Sequence, residues 1–169
     1  MGHKNWIDNL LKVAKFHTVE DFWALHHHIE LASNLNVGCD YSLFKRDIEP
    51  MWEDKENCDG GRWLFTINKS GGKGSHGKII DDMWLEVLLC LIGEAFDKYS
   101  DQICGAVLNI RGKLDKIAVW TSDSKDIEAI RFIGNVLKER TGFNGMIAYE
   151  AHKDTQTKRG STAKPLMTL

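Results

Sequence analysis

The chain has 169 residues, and at roughly 150 residues per domain that length corresponds to one domain with a core of its own. A composition of 43% hydrophobic and 27% charged residues excludes wholesale disorder. Twenty-two basic against 24 acidic residues give a net charge of −2, which excludes a surface basic all over, as a general nucleic-acid binder needs, and leaves room for one local basic site. No apolar run of about 18 residues is present to cross a membrane, and the start Met1-Gly2-His3-Lys4-Asn5-Trp6 lacks the apolar core of a signal peptide. The four cysteines, at 39, 58, 90 and 104, form no CxxC pair and are expected as reduced thiols, with no disulfide frame and no metal site. An intracellular chain with no membrane partner is expected.

In chain order, Thr18 to Leu31 is predicted as a helix. Thr18 is its N-cap, and Phe22, Leu25 and Ile29 form its apolar stripe. Asp40–Lys45 reads as a strand ended by a loop through Pro50. Gly61–Lys69 is a second strand, and Gly71–Lys78 a flexible glycine-rich surface loop. Ile80–Phe96 is the longest helix. Ile103–Arg111 and Lys116–Thr121 form a hairpin across Gly112-Lys113-Leu114-Asp115. Asp126–Arg140 is a third helix stopped by Thr141-Gly142, and Met146–His152 another strand. The expected class is α+β, an antiparallel sheet with three helices packed on one face. Residues 1–152 form the domain, and residues 153–169 a basic Ser/Thr/Lys tail of net charge +3.

The Ile80 helix carries two apolar stripes about 100° apart, Trp84/Leu88/Leu91/Ala95 and Leu85/Leu89/Ile92/Phe96. So wide an apolar arc fits a helix wedged between layers, or one that offers a stripe to a partner helix. Trp23 sits off the inward stripe of its own helix and is expected lateral or exposed.

Enzymatic motifs are missing. Gly72–Lys78 fits GxxxxGK, but Ile79 stands where the magnesium-binding Ser or Thr of a nucleotide loop belongs. His26-His27-His28 cannot converge on one metal from adjacent helical positions. No GxSxG or comparable nucleophile motif occurs. The expectation is no enzyme, no metal and no cofactor.

What remains is tryptophan beside charge. Pro50-Met51-Trp52-Glu53-Asp54 puts an indole and carboxylates in a loop, and Trp6 sits in a polar stretch. Arg62, Arg111, Lys113 and Lys116 supply cations, expected near one sheet edge. Indoles, a carboxylate and cations together suit a phosphorylated aromatic ligand.

At these residues the sequence resembles the eukaryotic translation initiation factor 4E family of messenger RNA cap-binding proteins. The resemblance runs from Asn5-Trp6 to the C-terminus. Its anchors include Thr18-Val19-Glu20-Asp21-Phe22-Trp23, Gly38–Phe44, Pro50–Asp54, Gly60-Gly61-Arg62-Trp63, Trp84–Glu94 and Cys104–Val107. It implies a cupped hand, a curved antiparallel sheet with helices on its convex back. It further implies that Trp6 and Trp52 sandwich 7-methylguanine, that Glu53 accepts from the guanine N1–H and amine, and that Trp120 sits beside the N7-methyl group. Arg111 and Lys116 would meet the triphosphate, supported by Arg62 and Lys113. Lys158 and Lys164 lie in the tail that flanks the next nucleotide, and Ser161 matches the family's regulatory serine.

A second implied surface is formed by Val19, Trp23, Leu85, Glu86, Leu89 and Gly93, which match the patch that docks initiation factor 4G or competing 4E-binding repressors. Trp63 and Trp84 are assigned to the core. The family usually carries a further strand ahead of Trp6 that this chain lacks, which is expected to leave the Trp6 segment anchored on one side only. The implied protein is a cytoplasmic monomer, with nuclear occurrence also compatible. It links capped RNA to the 4G scaffold; the alternative is a regulatory isoform that binds cap weakly and acts through the partner surface.

Overall fold

The computed structural model describes residues 10–69, 73–157 and 164–169. The chain divides into two compact units, Met1–Glu30 and Leu31–Leu169.

In the first unit, α1 spans Val19–His28. Thr18 caps it as expected: its backbone is extended and its Oγ1 accepts from the Asp21 N–H at 3.1 Å. Glu20 and Asp21 in the first turn and the three histidines in the last suit the helix dipole. Phe22 packs against Phe16, Trp23 and His26 at ring separations of 5.7, 5.2 and 5.7 Å. The histidine run is therefore partly absorbed into an aromatic cluster.

The second unit is built on an open six-stranded antiparallel sheet. Its strands are β1 (Asp40–Phe44), β2 (Gly61–Asn68), β3 (Ile103–Asn109), β4 (Leu114–Thr121), β5 (Ala148–Ala151) and β6 (Met167–Thr168), in the order β1-β3-β4-β2-β5-β6. On one face lie α2 (Lys73–Ile92) and α3 (Ile127–Thr141), packed on each other. Strand β2 alternates strictly. Gly61, Trp63, Phe65 and Ile67 are buried, while Arg62, Leu64 and Thr66 turn to the other face. Register extends that division across the sheet, since Trp63, Phe65 and Ile67 pair with Val119, Ile117 and Asp115. The helix-side core is closed by Val87, Ile130, Ile133, Leu137 and Tyr149, all fully buried. The expected α+β class with an antiparallel sheet is the class observed, and Trp63 and Trp84 lie in the core as assigned.

Helix α3 starts where Asp126 accepts from the Ala129 N–H, and stops at Gly142, whose φ of 62° lies in the left-handed region. The hairpin β3–β4 forms, with a bulge between Ile103 and Gly105, but its turn falls earlier than expected: Leu114 and Asp115 already belong to β4, paired with Asn68 and Ile67 of β2.

Three further expectations are corrected. Residues 73–78 are not a loop but the first turns of α2. Contacts outside the helix override the low helix propensity of its glycines: His76 bonds Asp115 on β4, and Asp81 accepts from the Ser33 N–H and hydroxyl. The same helix ends at Ile92, before Phe96, because Glu94 turns left-handed at φ 50° and the Ala95 N–H closes back on the Cys90 carbonyl at 3.0 Å. The segment after residue 151 is more than a tail, since it contains α4 (His152–Thr157) and the edge strand β6 paired to β5. Gly71, and Gly72 at the start of the GxxxxGK match, lie outside the described residues.

Candidate functional site

The sheet face turned away from α2 and α3 carries the candidate site. Register lines up Arg62, Leu64 and Thr66 of β2 with Trp120, Ala118 and Lys116 of β4, and these with Gly105, Val107 and Asn109 of β3. Trp120 is 8% exposed and packs with Cys104, Ala118, Phe44, Ile48, Leu64 and Val107. The Phe44 ring meets it edge-on at 5.5 Å, and the His152 ring lies 4.3 Å away. The buried Trp120 Nε1 and His152 Nε2 have no hydrogen-bond partner among the described residues. Burial, reinforced by the nearby Arg62 charge, lowers the His152 pKa to about 4, so the imidazole is neutral near pH 7.

The loop from β1 to β2, whose Ile48 packs against this cluster, carries Trp52 and Glu53, both exposed. Its shape is held from below. Asn57 is fully buried, and its Nδ2 donates to the carbonyls of Glu49 at 2.9 Å and Met51 at 2.7 Å. Asp54 accepts from the N–H groups of Glu49 and Glu56, each at 2.9 Å. The Cys104 thiol at the β3 bulge donates to the Glu56 carbonyl at 3.4 Å, and burial pushes that thiol up to about 12. Trp52 and Glu53 thus sit at the tip of a loop whose two flanks are pinned.

The cations are distributed differently from the expectation. They do not share a sheet edge, because β4 and β2 are interior strands. Arg62 lies opposite Trp120 and is engaged by Glu150 of β5, which accepts from Nε at 3.2 Å and Nη2 at 3.0 Å. Lys116 stands four residues further along the ladder, on the same face. Arg111 and exposed Lys113 occupy the β3–β4 turn. Asp40 grips the Arg111 guanidinium through both Nη atoms, and that bond, partly opposed by burial, raises the arginine pKa further.

The expected partner-surface residues fall in separate units. Val19 and Trp23, four apart, lie on one face of α1. On α2, Leu85, Glu86 and Leu89 are half-buried, in contrast to Trp84 and Leu88, which are 5% exposed; exposed Gly93 follows the last turn. Glu86 accepts from Arg140 Nε of α3 at 2.8 Å. Trp6, Lys158 and Ser161 lie outside the described residues, while Lys164 is exposed.

Sequence reasoning missed Asp40, Asn57, Glu150 and His152. Glu150 follows from alternation in β5, where Tyr149 and Ala151 flank a residue of the opposite face, whereas His152 opens α4; only the β2–β5 pairing reveals that Glu150 meets Arg62.

Residues 2–166 match the family described as Eukaryotic initiation factor 4E. The human eukaryotic translation initiation factor 4E is 57% identical over 163 residues, covering 95% of this chain and 73% of that protein. Among solved structures, a complex of C. elegans eIF4E-3 with the 4E-binding protein Mextli and cap analog superimposes with a TM-score of 0.87 at 43% identity, covering 98% of this chain and 89% of that one. Ascaris suum eIF4E-3 in complex with m7G cap gives a TM-score of 0.89 at 43% identity, covering 100% and 89%. With a family match over nearly its whole length and relatives above half identity, the chain belongs to the eukaryotic initiation factor 4E family.

Proposed function

We propose that the chain binds the 7-methylguanosine cap of messenger RNA and links it to an initiation factor 4G-type scaffold, in competition with 4E-binding repressors. The observation that carries the reading is the sheet face on which a buried Trp120, its Nε1 without a partner among the described residues, lies in register with Arg62 and two strand positions from Ala118, in line with Lys116. The pinned loop, which packs on that floor through Ile48, carries exposed Trp52 and Glu53. N7-methylation makes guanine cationic, so stacking between Trp52 and Trp6 gains a cation–π component of roughly 2 kcal/mol once water is excluded. Glu53 accepts from the N1–H and the amine, two donors that adenine does not offer together. Trp120 borders the methyl group, Arg111 and Lys116 bind the triphosphate, and Arg62 and Lys113 support them. Lys158 and Lys164 flank the following nucleotide, and phosphate on Ser161 would add about −1.5 to −2 charge among those lysines.

The partner surface is read as Val19 and Trp23 of α1 with Leu85, Glu86, Leu89 and Gly93. The C. elegans and schistosome relatives occur in complexes with 4E-binding proteins, which supports this half of the reading. Translation initiation places the chain's work in the cytoplasm.

Retention on 7-methylguanosine resin, with release by cap analogue and not by GTP, tests the cap site. Trp52→Ala and Glu53→Ala should each cost roughly 1–3 kcal/mol of cap affinity; unchanged titrations in both would overturn it. Trp23→Ala should abolish binding of a 4G-type helical peptide and spare cap affinity.

A further inference from the structure

Asp115 is the one carboxylate on the helix side of β4, opposite Ile67, and it is 1% exposed. Three donors converge on it from three different elements. The Arg111 backbone N–H donates to Oδ1 at 2.8 Å from the β3–β4 turn. Lys69 Nζ, just past the end of β2, lies 3.0 Å from the same oxygen. His76 Nε2, in the first turns of α2, is 2.7 Å from Oδ2. Burial works against the charge, but the Arg111 N–H, His76 and Lys69 outweigh it and hold the carboxyl below its usual range.

The geometry has a direction. The Arg111 side chain is held from the β1 side by Asp40, and its main chain from the helix side by Asp115. Arg111, Lys113 and Lys116 crowd like charge into one short stretch, and a dry anion beneath the turn offsets their repulsion. A buried carboxylate is a poor device for stability alone, since apolar packing does that at no desolvation cost. It is a good device for fixing where a charged turn stands before its ligand arrives.

We propose that Asp115, braced by His76 and Lys69, is a positioning residue for the cap triphosphate: it fixes the turn that carries Arg111 and Lys113 without touching the ligand. This rests on the reading of Arg111, Lys113 and Lys116 as the triphosphate-binding cations. It also makes α2 a shared element. The helix that braces the turn at His76 carries Leu85 and Leu89 of the partner surface further along.

Tryptophan-quenching titrations with 7-methylguanosine mono-, di- and triphosphate test the assignment on wild type, Asp115→Asn, His76→Ala and His76→Gln. Wild-type affinity should climb with each phosphate. In Asp115→Asn the triphosphate should lose about tenfold and the monophosphate less than about twofold, which flattens that climb. His76→Ala should flatten it partly, and His76→Gln, which keeps a donor, should restore it. Equal losses for all three ligands, or none, would show Asp115 to be structural only and overturn the proposal. Should Asp115→Asn fail to fold, the His76 pair decides by the same comparison. A wild-type affinity indifferent to phosphate number would instead overturn the reading of the cations themselves, a result distinct from unequal behaviour of the variants.

Discussion

Asp40 and Arg111 form a two-pronged ion pair: Asp40 Oδ1 accepts from Nη1 at 2.6 Å and Oδ2 from Nη2 at 3.1 Å. Both side chains are about two-fifths exposed, at 42% and 43%. An ion pair so open to water contributes under about 1 kcal/mol to stability. Its effect on a bound anion is larger, because Asp40 screens the charge that Arg111 offers. Asp40→Asn should therefore leave the urea midpoint nearly unchanged while the affinity for 7-methylguanosine triphosphate falls more steeply with added salt. An unchanged salt slope would remove Arg111 from the triphosphate's field.

His152 supplies a stability prediction. Its folded-state pKa of about 4 lies below the unfolded value of 6.5, so between those pH values the unfolded chain binds the extra proton. Stability contributed by the neutral, buried ring is complete above pH 6.5 and drains away as pH falls toward 4, by on the order of 3 kcal/mol. Urea unfolding across that window, in wild type and His152→Gln, checks it. The variant should lose this part of the acid slope.

Gly134 of α3 faces the Trp63 ring, whose Nε1 donates to the Ile130 carbonyl at 2.9 Å. A Cβ at 134 would stand 2.4 Å from Trp63 Cζ2, inside the ring's contact distance. Helix propensity favours alanine over glycine by about 1 kcal/mol, whereas overpacking a core costs about 1–3 kcal/mol. Gly134→Ala is expected to be net destabilising. A melting temperature at or above wild type would show that α3 can slide off the indole.

Asn57 holds the candidate base-binding loop from beneath. Asn57→Ala strands the Glu49 and Met51 carbonyls, at a cost of roughly 1–3 kcal/mol. Because Trp52 and Glu53 ride on that loop, the variant should also bind cap analogue more weakly and show altered Trp52 fluorescence. Weakened stability with undiminished cap affinity would mean that the loop keeps its form by other means.

Much of this was legible in residue order. Thr18 and Asp126 announce helix starts by their own side chains, Gly142 a helix end, and β3–β4 a hairpin, because each depends on neighbours in the chain. Trp52 and Glu53 stood out for the same reason, as an indole and a carboxylate in a loop context. Long-range contacts were not legible. The glycines at 74 and 77 spelled a loop, and only Asp115 and Ser33, distant in sequence, make that stretch helical. Asp115 itself read as a turn residue, although its parity with Ile117 and Val119 marks it for the buried side. β6 is two residues long and leaves no periodicity to find.

The position of β2 has a consequence for how the chain reaches this fold. Its two sheet neighbours, β4 and β5, both follow α2 in sequence, yet β2 lies between them. During synthesis β2 therefore emerges well before either edge can be paired, with Trp63, Phe65 and Ile67 alternating along it and nothing yet to cover them. Ladders closed over so long a stretch of chain form slowly, on the millisecond-to-second scale of non-local β topologies. Nascent chains that end before Leu114 hold a complete but unpaired apolar strand. That interval is where chaperone dependence and aggregation of this protein should concentrate.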